Sequence, residues 1–134
     1  MAHILIIKDD DLHREMLESA LERTGNQVTT VSDGEEGLAR RRTEKVDLVL
    51  TDLFMPHTDG IELIRKMSAD DTPVPVIAMT GGVNGGHRPF TRDATLLGAR
   101  AVLTKPFSIA ELLAAVEGVL KAVPFQNGTD TPFV

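Results

Sequence analysis

Five short apolar runs, each separated from the next by a stretch with helical spacing, constrain this chain more than any other feature. The runs are His3–Ile7, Gln27–Val31, Val46–Thr51, Val74–Met79 and Ala101–Thr104. They are short, apolar and often β-branched, as expected of parallel strands covered on both faces. Parallel strands joined through helices require right-handed crossovers, so the alternation predicts a doubly wound α/β sheet.

The intervening stretches carry helix signals. Leu12, Met16, Ala20 and Leu21 recur at helical spacing after Asp11, which is read as the cap, and Gly25 stands where such a helix stops. Asp33 with Glu36, Asp59 with Glu62 and Ser108 with Glu111 each place a capping side chain three residues before a Glu. The last helix shows Leu112, Leu113, Val116, Val119 and Leu120 and ends near Lys121. Between Thr80 and Pro89 the glycines predict a mobile loop, followed by a short helix over Phe90–Leu97. One domain is expected over residues 1–122, with a flexible tail over 123–134.

Composition removes several function classes. The formal charge of −6 disfavours nucleic acid as a partner, since phosphate neutralisation needs clustered cations. Arg40-Arg41-Arg42 is a short run and reads as a solvated helix end. The chain has no Trp or Tyr for base or flavin stacking, and no Cys for disulfides or thiolate metal sites. No apolar run is long enough for a membrane span and no signal peptide is visible, so a cytoplasmic protein is expected.

In a doubly wound sheet, ligands bind outside the carboxyl ends of the strands. The residues at those ends are Lys8-Asp9-Asp10-Asp11, Asp52, Thr80 and Lys105. Any one of the acids alone reads as a turn former or helix cap. Together they make a different set, since clustered carboxylates repel unless a cation neutralises them. Mg2+ suits such oxygen ligands. With a cation beside it, Asp52 can attack phosphorus to give an acyl phosphate, while Thr80 and Lys105 contact the phosphoryl oxygens.

The apolar strand into Asp9-Asp10, the run Leu48-Val49-Leu50-Thr51-Asp52-Leu53-Phe54-Met55-Pro56 and the pair Asp59-Gly60 form the first half of a pattern. Val76-Ile77-Ala78-Met79-Thr80-Gly81, Gly98-Ala99 and Lys105-Pro106-Phe107 complete it. Over about Ala2–Lys121 the chain resembles the receiver domain of bacterial two-component response regulators, of the single-domain type. The resemblance implies a flavodoxin-like fold of five parallel strands in the order 2-1-3-4-5 with five helices. It implies Asp52 as phosphoacceptor, and Asp9, Asp52 and the backbone carbonyl of Phe54 as Mg2+ ligands. It also implies Thr80 as the switch hydroxyl, Lys105 as the partner of Asp52, and a Lys105–Pro106 bond of a kind often cis. The implied donor is the phosphohistidine of a sensor histidine kinase or phosphotransfer protein. A downstream protein partner is implied too, and a homodimer is compatible with the pattern.

Three departures stand out. With Arg14 setting the register, Lys8 occupies the place of the family's first acidic residue. The formal charge of residues 8, 9 and 52 then changes from about −3 to about −1. Weak Mg2+ binding is expected, with Lys8 pairing Asp52 or Asp10 recruited as a substitute ligand. The aromatic switch position is Val102. The Thr80–Gly98 connection is longer and richer in glycine than usual. The Lys8 departure motivates a second reading, a degenerate receiver that binds a protein without phosphorylation. A third, a phosphatase of the haloacid dehalogenase type using Asp9-x-Asp11, leaves Asp52 to Gly60 unexplained, so no enzymatic activity is expected.

Overall fold

The computed structural model describes residues 2–55, 58–69, 73–81 and 98–121. Chain order is β1 (His3–Ile7), α1 (Asp11–Glu22), β2 (Gln27–Val31), α2 (Gly34–Thr43) and β3 (Leu48–Asp52). There follow β4 (Phe54–Met55), β5 (Thr58–Asp59), α3 (Gly60–Ala69), β6 (Val76–Gly81), β7 (Ala99–Lys105) and α4 (Ile109–Lys121). Five strands form one parallel sheet in the order β2-β1-β3-β6-β7, the expected 2-1-3-4-5 arrangement. The two-residue strands β4 and β5 form a separate antiparallel ladder that short-range pattern reading did not anticipate. The expected Phe90–Leu97 helix, the glycine-rich segment beyond Gly81 and the tail lie outside the described residues.

Strand polarity explains the two faces. Successive side chains point to opposite sides, so Leu5, Ile7, Val49, Val76 and Ala78 join a cluster with Leu63, Ile64 and Met67 of α3. Ile4, Ile6, Leu48, Leu50, Ile77 and Met79 face the other way, onto Leu17 and Leu21 of α1 and Leu112 and Val116 of α4. Both faces are thus covered, which is why Ile4–Ile7 of β1 and Leu48–Leu50 of β3 are apolar at successive positions.

Helix ends follow local chemistry, with two corrections. The cap of α1 is Asp10, whose carboxylate accepts the His13 N–H at 3.1 Å. Asp11, read as the cap, instead lies in the first turn and pairs with Arg14. The buried stripe of α1 runs through Leu17 and Leu21, while Leu12 and Met16 face solvent. At 3.6 residues per turn Leu12 and Met16 lie about 140° and about 100° around the helix axis from Leu17, so they turn away from the buried stripe. Gly25 (φ +89°) ends the helix, the Gly25 and Asn26 amides donating to the carbonyls of Glu22 and Leu21. Asp33 and Ser108 cap as expected, and Ser108 with Glu111 closes the reciprocal box at 2.7 and 3.0 Å.

Strand ends differ in a way that matters for the site. β3 runs one residue past the expected Thr51 to Asp52, and β6 continues through Thr80 to Gly81. β7 reaches Lys105. Pairing with a neighbour extends each strand beyond its apolar segment: Asp52 pairs with Met79, Thr80 with Thr104 and Gly81 with Lys105.

The turn after Asp52 is fixed by a close approach. A Cβ at Gly60 would lie 2.3 Å from the Leu53 carbonyl oxygen and 2.6 Å from its Cα. Those are backbone atoms, which cannot rotate away. Gly60→Ala is therefore expected to destabilise the protein by about 1–3 kcal/mol through overpacking. Urea denaturation checks this, and an unchanged midpoint would contradict the packing described.

Candidate functional site

Three strand ends converge on one carboxylate. β1 lies directly beside β3, and the ladder of Ile7 with Thr51 sets Lys8 next to Asp52. Lys8 Nζ donates to Asp52 Oδ2 at 2.7 Å. From β7, Lys105 Nζ reaches Oδ1 at 2.9 Å and Oδ2 at 3.1 Å. Lys8 is 3% exposed and Asp52 4%, so this ion pair is withdrawn from water. Opposite unit charges about 4 Å apart are worth about 4 kcal/mol at an effective dielectric near 20.

Lys8 is held at both ends. Its amide donates to the Val31 carbonyl at 3.1 Å, and its carbonyl accepts from Arg14 Nη1 at 2.7 Å. Arg14 also pairs with Asp11, so the first turn of α1 braces the end of β1. The lysine does not turn outward to solvent: its backbone is pinned and its ammonium is on Asp52.

The other expected site residues are placed as follows. Thr80 is fully buried at the end of β6, and its hydroxyl has no hydrogen-bond partner among the described residues. Asp9 is exposed beside Lys8. Asp10 is exposed and capping α1, a role that competes with the one expected for it as a substitute ligand. The His13 amide, and after it the Lys8 charge, hold the Asp10 carboxyl below its ordinary range. Phe54 lies in β4. Val102 packs, half-buried, against the α2–α3 cluster, and the Lys105–Pro106 peptide is cis.

The donor set does not suit a hard divalent cation. Both Asp52 oxygens already accept from ammonium groups. Among the described residues, no three His, Cys, Asp or Glu side chains are grouped to hold a metal. A buried ammonium lies where a second carboxylate would be needed.

One contributor was not legible beforehand. His13, on the first turns of α1, stacks tilted on Phe107 with ring centroids 6.1 Å apart. Burial lowers its pKa from the ordinary 6.5, and the charges of Lys8 and Lys105 lower it further, against Asp10 and Asp52. A lone histidine on a helix gives no sequence signal for such a position.

The chain was compared with known proteins. A family model for the response regulator receiver domain matches residues 4–117. The transcriptional regulatory protein CseB of Streptomyces coelicolor is 36% identical over 96% of this chain and 53% of its own length. The chain spans about half the length of the curated relatives it matches. The receiver domain of response regulator 1452 from Francisella superposes with a TM-score of 0.81 at 28% identity, covering 90% of this chain and 98% of that one. The chemotaxis response regulator CheY4 of Vibrio cholerae superposes with a TM-score of 0.79 at 26% identity, covering 89% and 98%.

Two outcomes follow from the geometry. Asp52→Asn leaves a buried ammonium without its counter-charge and should cost about 3–5 kcal/mol. Adding Lys8→Met should recover most of that loss in urea denaturation; no recovery would mean that the pair is not coupled. For His13 the folded pKa is depressed, so its contribution to stability is present above the unfolded value and lost as pH falls through the folded one. Stability should therefore fall as pH drops below the ordinary histidine value of 6.5, with a shallower slope in His13→Gln. Identical slopes in the two proteins would exclude this role.

Proposed function

The chain belongs to the response regulator receiver domain family, and from that membership we propose that Asp52 accepts a phosphoryl group from the phosphohistidine of a sensor histidine kinase or phosphotransfer protein. The observation that carries this reading is the Asp52 carboxylate itself. It is buried at the end of the central strand and gripped by Lys105 from β7. Receiver domains are signalling modules, and they generally bind Mg2+ at the phosphorylation site.

The chemistry conserves atoms and charge without a further reactant. A carboxylate oxygen of Asp52 forms a bond to phosphorus as the phosphorus–nitrogen bond of the donor breaks. The electron pair stays on the donor imidazole, which leaves neutral because its other ring nitrogen is already protonated. Lys105 neutralises charge on the phosphoryl oxygens, and the Thr80 hydroxyl, without a partner among the described residues, supplies a donor to them. The protein contributes placement and charge rather than covalent steps of its own.

Phosphorylation then shifts an existing equilibrium between two conformations, read by a protein partner. Exposed apolar side chains support such a partner: Leu12 is 78% exposed, Met16 46% and Ile109 41%, on α1 and α4. The acidic composition supports a protein rather than nucleic acid as the contact, in a cytoplasmic setting. No described helix is long and apolar enough to cross a membrane.

The Lys8–Asp52 pair also favours a second reading, a receiver that binds its partner without phosphorylation. Intact mass after incubation with acetyl phosphate separates the two. A single phosphoryl adduct, located at Asp52 by borohydride reduction and peptide mass, is expected. Folded protein that takes no adduct with either Mg2+ or chelator would favour the second reading.

A further inference from the structure

We propose that the Lys8 ammonium takes the place of the divalent cation, so that this site handles a phosphoryl group without a metal. The inference rests on Asp52 as phosphoacceptor and deepens that reading.

Charge is the first argument. A carboxylate at position 8, with Asp9, Asp52 and Lys105, gives a pocket of formal charge about −2, and Mg2+ brings it to about zero. Lysine at position 8 gives about zero with no ion at all. One side-chain exchange supplies the same two units of charge as the metal. Asp52 can be buried and still ionised only if its charge is balanced nearby, and here the chain itself balances it.

Geometry is the second. Nζ of Lys8 stands 2.7 Å from Asp52 Oδ2, on the opposite side of the sheet order from β7, which carries Lys105. A phosphoryl group formed on Asp52 therefore meets an ammonium from each side. Each ammonium has three donors. Among the described residues Lys8 uses one on Oδ2, which leaves two for phosphoryl oxygens once the carboxylate has become an acyl phosphate. The pinned backbone of Lys8 and its 3% exposure keep that ammonium in place, as a bound ion would be kept.

The third argument is the state of the oxygen ligands that remain. Asp9 is exposed, and Asp10 accepts from the His13 amide. A cation entering beside Asp52 would have to displace the Lys8 ammonium and sit next to it, adding repulsion to dehydration.

Wild type, Lys8→Asp and Lys8→Met decide the matter with two readouts. Free Mn2+ is measured by electron paramagnetic resonance during titration with each protein. Phosphorylation by acetyl phosphate is followed by intact mass, with excess Mg2+ and with chelator. Wild type should bind no Mn2+ in the millimolar range and should take the adduct at rates within about twofold with or without metal. Lys8→Asp should bind Mn2+ and become at least about tenfold dependent on Mg2+. Lys8→Met should lose about tenfold or more in rate under both conditions.

Mn2+ binding by wild type, or an adduct that needs Mg2+, overturns the proposal. An adduct in Lys8→Asp but not in wild type also overturns it, because Lys8 would then block the site rather than serve it. An adduct in none of the three folded proteins overturns the phosphoacceptor reading instead. The Mn2+ titration then decides on its own whether Lys8 has displaced the cation.

Discussion

One carboxylate held between two ammonium groups at the end of the central strand is the constraint on which the rest of the structure depends. Asp52 can be buried only because Lys8 and Lys105 meet it. Each lysine arrives from a different strand, and the order β2-β1-β3-β6-β7 brings the ends of β1 and β7 to opposite sides of β3. The alternation that buries Ile4 and Ile6 on one side and Leu5 and Ile7 on the other also fixes where residue 8 must lie. The core and the site are therefore specified by the same register.

The two lysines that meet Asp52 also act on the groups around it. The pKa of His13 is pushed down by burial and then by both lysines, which keeps its ring neutral against Phe107. The Asp10 carboxyl is held down by the His13 amide and by Lys8, which keeps it ionised at the helix start. An ionised carboxylate there also complements the partial positive charge of the helix N-terminus. The first turn of α1 is thus tied to the site through Arg14 on the Lys8 carbonyl and through the charges that His13 and Asp10 feel. It is not an independent connector.

Much of this was legible in the sequence because it depends on period and local chemistry. Apolar runs identified all five sheet strands, and Ser108 with Glu111 announced the start of α4. Asp52, Thr80 and Lys105 were singled out because they stand at strand ends, and the structure sets Lys105 on Asp52 and buries Thr80 at the end of β6. What was missed depends on distance rather than spacing. Asp10, not Asp11, caps α1, and the choice turns on a one-residue difference in where the helix begins. Leu12 and Met16 repeat at helical spacing, yet they lie around the helix from the Leu17–Leu21 stripe and face solvent. The β4–β5 ladder has strands of two residues, too short for any period to show. Whether Lys8 turns inward or outward could not be read from its neighbours. A lysine beside aspartates is usually solvated, and burial is decided by the packing around its stem.

The absence of an aromatic at Val102 raises the question of how a change at Asp52 would travel. Thr80 offers one answer. A buried hydroxyl without a partner costs about 1–3 kcal/mol, a strain that folded proteins tend to keep where function needs it. Thr80 is paired through the backbone with Thr104, and Gly81 with Lys105. A shift of Thr80 toward a phosphoryl group would therefore pull on the segment that carries Lys105. Thr80 and Lys105 are thus joined by one stretch of ladder. Val102 fills a half-buried place in the core, so a movement of Thr80 would have to travel through the strand pair rather than through an aromatic ring.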